Sequence, residues 1–114
     1  MLTLISPVKR RSGLSVEEFH KHWRDVHATL IRDTPAIADC LLGYTQYPSI
    51  ASAYQQGEPI WDGVAIARYE SQQAMDRLFN SPEYQRLLRP DEEKLTDPAT
   101  VNWLICDNPN KVIG

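Results

Sequence analysis

Six segments with strand or helix patterning follow one another along this chain in the order strand, helix, strand, strand, helix, strand. That order limits the available folds more than any single motif does. The first strand is read from Met1 to Val8, where the strand formers Leu2-Thr3-Leu4-Ile5 run up to a stop at Ser6-Pro7. A basic loop, Lys9-Arg10-Arg11-Ser12-Gly13, leads to the first helix. Ser15-Val16-Glu17-Glu18 is a capping box, with the Ser15 hydroxyl placed to accept from the Glu18 amide and the Glu18 carboxylate placed to reach back. Val16, Phe19, Trp23, Val26 and Leu30 step by three and four, as a core-facing helical stripe should, and Pro35 marks an end or a kink. Cys40 to Tyr47 reads as the second strand, stopped by Pro48, and Val64 to Tyr69 as the third. Ser71 caps a second helix with Ala74, Met75, Leu78 and Phe79 inward. Ser81-Pro82 starts a further turn that Arg89-Pro90 ends, and Asp91 to Leu95 is a short acidic turn or loop. Val101 to Cys106 is the fourth strand.

This is the split βαβ arrangement, a ferredoxin-like βαββαβ fold of the α+β class, with residues 1–114 as a single domain. A four-stranded antiparallel sheet carries both helices on one face and leaves the other face bare. Apolar residues on both alternating faces of the third strand, and Trp103 and Ile105 alternating with Leu104, predict that both faces are buried. A homodimer packed through the open sheet face meets that need without further sequence.

Composition narrows the partners. Twelve Lys and Arg against 15 Asp and Glu give a net charge of −3, the wrong sign for general nucleic-acid binding. No apolar run approaches the ~20 residues of a membrane span. The opening Met1 to Ile5 is too short for a signal segment, so a cytoplasmic location is expected. Cys40 and Cys106 sit in apolar stretches and read as buried thiols in a reducing compartment. So small a domain has little room for both a large cofactor and a core.

Three histidines lie in the first helix. His20 and His22 diverge around the helix, and His20 and His27 stand two turns apart, so no pair shares a metal at helical spacing. No metal site is expected. His27 sits at the edge of the apolar stripe, where it is either a hydrogen-bonded structural residue or a general acid or base. Asp25, on the far side of the helix, reads as a solvated charge. In the second strand Tyr44 and Gln46 share one face and Thr45 and Tyr47 the other. Either tyrosine is a candidate hydrogen-bond donor to a substrate oxygen. Asp62, beside Trp61 at the start of the third strand, is a candidate site residue or a turn residue. There is no glycine-rich phosphate loop and no GxSxG elbow.

The run Lys9-Arg10-Arg11-Ser12-Gly13-Leu14-Ser15-Val16-Glu17-Glu18-Phe19-His20-Lys21-His22-Trp23-Arg24-Asp25-Val26-His27-Ala28 closely resembles the opening motif of the EthD family, which is named after ethyl tert-butyl ether degradation and belongs to the dimeric α+β barrels. Trp61-Asp62-Gly63-Val64, Ser81-Pro82-Glu83-Tyr84 and the acidic run Asp91 to Asp97 are similar to later parts of the same family. The resemblance implies the fold already read from periodicity. It also implies a small enzyme that needs no cofactor and acts on a compact hydrophobic substrate, aromatic, lactone or polyketide-like. Lyase, isomerase and cyclase chemistry, and the oxidoreductase or monooxygenase class often given to the family, all stay open. The expected catalytic residues are His27, Tyr44 and Asp62, with Phe19, Trp23 and Tyr47 lining the substrate. The alternative is a non-catalytic protein that holds a hydrophobic metabolite for an oxygenase.

Overall fold

A computed structural model describes residues 1–114. Strand β1 spans Leu2–Val8. The capping box forms as its sequence requires: Glu18 N–H donates to Ser15 Oγ and Ser15 N–H to Glu18 Oε1, each at 3.0 Å. Helix α1, Val16–His22, then runs through a π-helical turn, Trp23–His27, into α2, Ala28–Asp33. Pro35 opens α3, Pro35–Ala38. Strand β2, Gly43–Pro48, leads through a 3-10 turn, Ala51–Tyr54, to β3, Gly63–Tyr69. Helix α4, Gln72–Phe79, is capped by Ser71, whose Oγ accepts from the Ala74 amide. A second π-helical turn, Tyr84–Leu88, feeds α5, Arg89–Leu95, and β4, Leu104–Cys106, closes the sheet. No helix is long and apolar enough to cross a membrane.

The strands lie in the order β2-β3-β1-β4, every neighbouring pair antiparallel, which is the ferredoxin-like α+β topology. Register assigns the faces. Leu4 stands opposite Ala67, which stands opposite Tyr44, and all three face the helices. Ile31, Ile37, Met75, Leu78 and Leu88 from the helical layer pack onto that row. On the reverse face Leu104, Ile5, Ile66 and Thr45 form a row, and the single chain leaves Leu104 and Tyr47 largely exposed there.

Four boundaries differ from the sequence reading. Strand β4 begins at Leu104 and not at Val101, since its ladder with β1 covers only Leu104, Ile105 and Cys106. Strand β1 continues through Ser6-Pro7, because β4 pairs only with Thr3, Leu4 and Ile5. One edge of β1 is therefore unpaired at Pro7, the setting in which a strand tolerates proline. Strand β2 begins at Gly43 and not at Cys40, since the Cys40 and Leu41 amides close the α3 turn on Ile37 and Ala38. Arg89-Pro90 does not end a helix but begins α5. The Arg89 amide bonds to Tyr84, five residues back, and this widened turn relieves the clash that a proline ring makes in a regular helix.

Gly63 is the one glycine whose lack of a side chain the packing demands. A Cβ there would lie 2.8 Å from the Tyr47 carbonyl oxygen and 2.9 Å from the Trp23 ring. Gly63→Ala is expected to lower stability by about 1–3 kcal/mol, the usual cost of overpacking, and to redshift Trp emission as Trp23 is displaced. Urea unfolding with fluorescence checks both.

Candidate functional site

Between the helical layer and the sheet lies a cavity of about 150 Å3. Its floor exists because Ser6, Ala65 and Ala67 present short side chains where larger residues would fill the gap. Trp23, Leu78, Phe79 and Leu88 make apolar walls, and Trp103, stacked on Phe79 with ring centres 5.9 Å apart, stands at one end. A volume of this order is the size class of an apolar cavity that accepts about one benzene ring.

His27 reaches this cavity from the first π-helical turn and is only 5% exposed. Its Nδ1 bonds Asp91 Oδ2 at 2.8 Å, and His22 Nε2 bonds Asp91 Oδ1 at 2.7 Å. The turn makes that double contact possible. Residues five apart lie about 140° from each other on a regular helix. Here the Ala28 amide bonds to the Trp23 carbonyl, five back, and the wider turn brings His22 and His27 round to one side. Asp91 comes from the first turn of α5, 64 residues beyond His27, and is 6% exposed. Burial works against its charge, but the hydrogen bonds from His27 and His22 prevail and hold the carboxyl below its usual range. An ionised carboxylate only accepts, so Nδ1 of His27 carries a proton, and Nε2 is left without a protein partner.

Other polar groups share the cavity wall. Burial pushes the Tyr44 phenol up to about 12, against a long hydrogen bond from Gln46. Burial likewise raises Tyr69. The Tyr84 hydroxyl donates to Glu92 Oε1 at 2.5 Å. Burial raises the Glu92 carboxyl above its usual range, although Tyr84 and His27 favour its charge. No group of three or more His, Cys, Asp or Glu side chains is arranged to hold a metal ion.

The residues expected from the sequence therefore divide. His27, Tyr44 and Trp23 meet at the cavity. Phe19 is fully buried beneath Trp23, stacked at 5.6 Å, and supports that wall without lining it. Strand alternation sends Tyr44 inward and Tyr47 to the reverse face, where it is 54% exposed. Asp62 is 0% exposed and lies outside the cavity. Its carboxylate accepts from the Arg10 amide at 2.8 Å, Arg10 Nη1 at 2.6 Å and the Tyr54 hydroxyl at 2.7 Å. Burial opposes its charge, yet these donors and Lys9 hold it ionised below the usual range. Its backbone carbonyl meets His20 Nε2 at 2.8 Å. Asp62 thus clamps the basic loop, the 3-10 turn and α1 to the start of β3. Asp25 pairs with its neighbour Arg24 on the surface, as a solvated charge does. Asp91, Glu92, Tyr69 and Tyr84 were not legible as site residues. The acidic run at Asp91 carries the family resemblance, but nothing in local spacing ties it to a histidine 64 residues away.

Comparison with known proteins agrees with this architecture. Over 81 residues the chain is 31% identical to the chalcone isomerase cfoK of Aspergillus candidus, a match that takes in 68% of this chain and 32% of that protein. The chain thus spans about a third of the length of that curated relative. Among solved structures, an EthD family protein from Bacillus halodurans superposes with a TM-score of 0.70 at 16% identity, covering 96% of this chain and 99% of that one. A dimeric protein of ferredoxin-like fold from Bacteroides fragilis superposes with a TM-score of 0.63 at 13% identity, covering 92% and 91%. The model of the EthD domain matches residues 11–99, and on that match this chain belongs to the EthD family.

Proposed function

We propose that this protein is a cofactor-independent isomerase that moves a proton on a compact aromatic ketone, with His27 as the base. One observation carries the reading: a buried carboxylate orients His27 through Nδ1 and leaves Nε2 unbonded at an apolar cavity. An imidazole held in this way is oriented to accept a proton from carbon. Tyr44, on the same wall, donates to the oxygen on which charge develops. Trp23 supplies the flat apolar surface against the ring. The cavity volume favours a substrate built on one aromatic ring with little beyond it. The 31% sequence match to a chalcone isomerase supports the isomerase reading.

The test is exchange of the α-hydrogens of 2-indanone for deuterium, followed by proton NMR in buffered D2O. The wild-type protein is expected to accelerate exchange well beyond an equal concentration of free imidazole. A rate equal to imidazole overturns the proposal and favours a holding protein instead.

The working unit in this reading is a homodimer. The row Leu104, Ile5 and Ile66 on the reverse face is apolar and without a partner in the chain, and a dimeric protein shares the fold. Ile66→Asp, which places a charge in that row, is expected to convert the dimer to a monomer at micromolar concentration. Sedimentation velocity on both proteins checks this.

A further inference from the structure

We propose that Glu92 is the acid of the cavity, giving a proton to the carbonyl oxygen of a neutral ketone while His27 takes one from the adjacent carbon; this rests on the His27 reading above. Glu92 follows Asp91 directly on α5, so a single helical turn supplies both the carboxylate that orients His27 and a second carboxyl on the cavity wall. Its Oε1 is occupied by the Tyr84 hydroxyl, and Oε2 has no protein partner. The two neighbours have opposite settings. Asp91 receives two histidine donors, whereas Glu92 receives one phenol and otherwise faces apolar wall. Two carboxyl groups whose surroundings push them apart divide acid and base duties between them.

The groups that face Glu92 come from several elements. Burial raises its carboxyl most, and Asp91 beside it adds to the rise. Tyr84, His27 and Arg89 act the other way. Tyr44 from β2 and Tyr69 from β3 are near enough for their phenols to be raised further by its charge. The sole lysine or arginine on the wall, Lys9, is already engaged by Glu58 at 3.2 Å and by the Pro59 carbonyl at 2.9 Å. The cavity therefore offers a carbonyl oxygen a donor and offers a substrate carboxylate no free cation.

The step balances without an oxidant or reductant. The α C–H bond breaks and its hydrogen passes to His27 Nε2 as a proton. The bonding pair becomes the C=C bond of the enol. The carbonyl π pair moves to oxygen, which takes the Glu92 proton. Collapse reverses the flow: the enol O–H proton returns to Glu92, and the imidazolium delivers its proton to carbon, at the original position or at a conjugated one.

Deuterium exchange of 2-indanone by wild type, Glu92→Gln, Tyr84→Phe and His27→Ala tests this, with rates taken across pH. Glutamine still accepts from Tyr84 and still donates to a carbonyl, so Glu92→Gln is expected to fold and to lose about tenfold in rate. The acid must be protonated, so the wild-type rate falls at the alkaline end as Glu92 ionises. That alkaline fall is expected to vanish in Glu92→Gln. Tyr84→Phe removes a donor to the ionised carboxyl, so it should move the fall to higher pH. Should Glu92→Gln fail to fold, the Tyr84→Phe shift decides alone. Wild-type rate and pH profile in Glu92→Gln, with His27→Ala still impaired, overturns the role of Glu92 and leaves His27 standing. No exchange by the wild type overturns both. Equal inhibition by indane-2-carboxylate and by a neutral indane of the same shape overturns the preference for neutral ligands.

Discussion

His27→Ala is expected to slow proton exchange on an aromatic ketone by about 100- to 10,000-fold, the range that a positioned general base contributes. The protein should remain folded. Asp91 keeps its second histidine partner, His22, at 2.7 Å, so removal of the imidazole does not leave the buried carboxylate alone. The remaining fold is held by contacts that do not involve His27, among them the Phe19–Trp23 stack and the Asp62 clamp. Exogenous imidazole should restore part of the activity, because the substitution opens space at the cavity wall. Unchanged exchange in a folded variant removes His27 from the chemistry. Loss of activity with loss of the folded spectrum identifies a structural residue instead. Far-UV circular dichroism recorded beside the exchange assay separates these outcomes.

Asp91→Ala attacks the same dyad from the other side and should cost both activity and stability. His22 and His27 both lose their acceptor, and the Nδ1–H of His27 is left unpaired in a buried place. An unsatisfied buried donor costs about 1–3 kcal/mol, which urea unfolding resolves. His27 also loses the bond that fixes its tautomer, so exchange should fall by about 100-fold or more. The stability effect has a definite pH sign. Asp91 is held below its usual value in the folded chain, chiefly by the two histidine bonds that overcome its burial. A carboxyl of this kind stabilises the fold above its unfolded value, about 3.9, and that contribution is lost as pH falls through the lower folded value. The gap between wild type and Asp91→Ala should thus be full near neutrality and close below about pH 3.9. A gap that is constant with pH would mean that side-chain packing, and not the charge, is what Asp91 provides.

Much of the scaffold was legible because its determinants are local. The Ser15 and Glu18 pair and the Ser71 cap each involve residues within one turn, and both start the expected helices. The apolar stripe from Val16 to Leu30 faces the core except at Val26, which the π-helical turn leaves 42% exposed while His27 is buried. Alternation along β2 correctly separated Tyr44 from Tyr47 into opposite faces, but not which face the helices would cover. That choice depends on the pairing of Tyr44 with Ala67 and of Ala67 with Leu4, which is a property of the assembled sheet. Asp62 illustrates the reverse case. Its place beside a strand start marked it as notable, and only its partners from Lys9, Arg10 and Tyr54 distinguish a structural clamp from a cavity group.

What the sequence determined by itself is the order of elements, the capped starts of two helices, an apolar sheet with two faces to cover, and a histidine at the edge of a buried stripe. These follow from periodicity and capping, whose range is a few residues. The tertiary structure alone decided what that histidine touches. Two π-helical turns break the 3.6-residue period on which the reading relied, one bringing His22 and His27 to a common side and the other carrying the chain past Pro90 into α5. The docking of α5 against the first helix then joins Asp91 to both histidines and sets Glu92 in the wall beside them. The contact that orients His27 spans 64 residues and rests on a non-standard helical turn, so no local pattern encodes it.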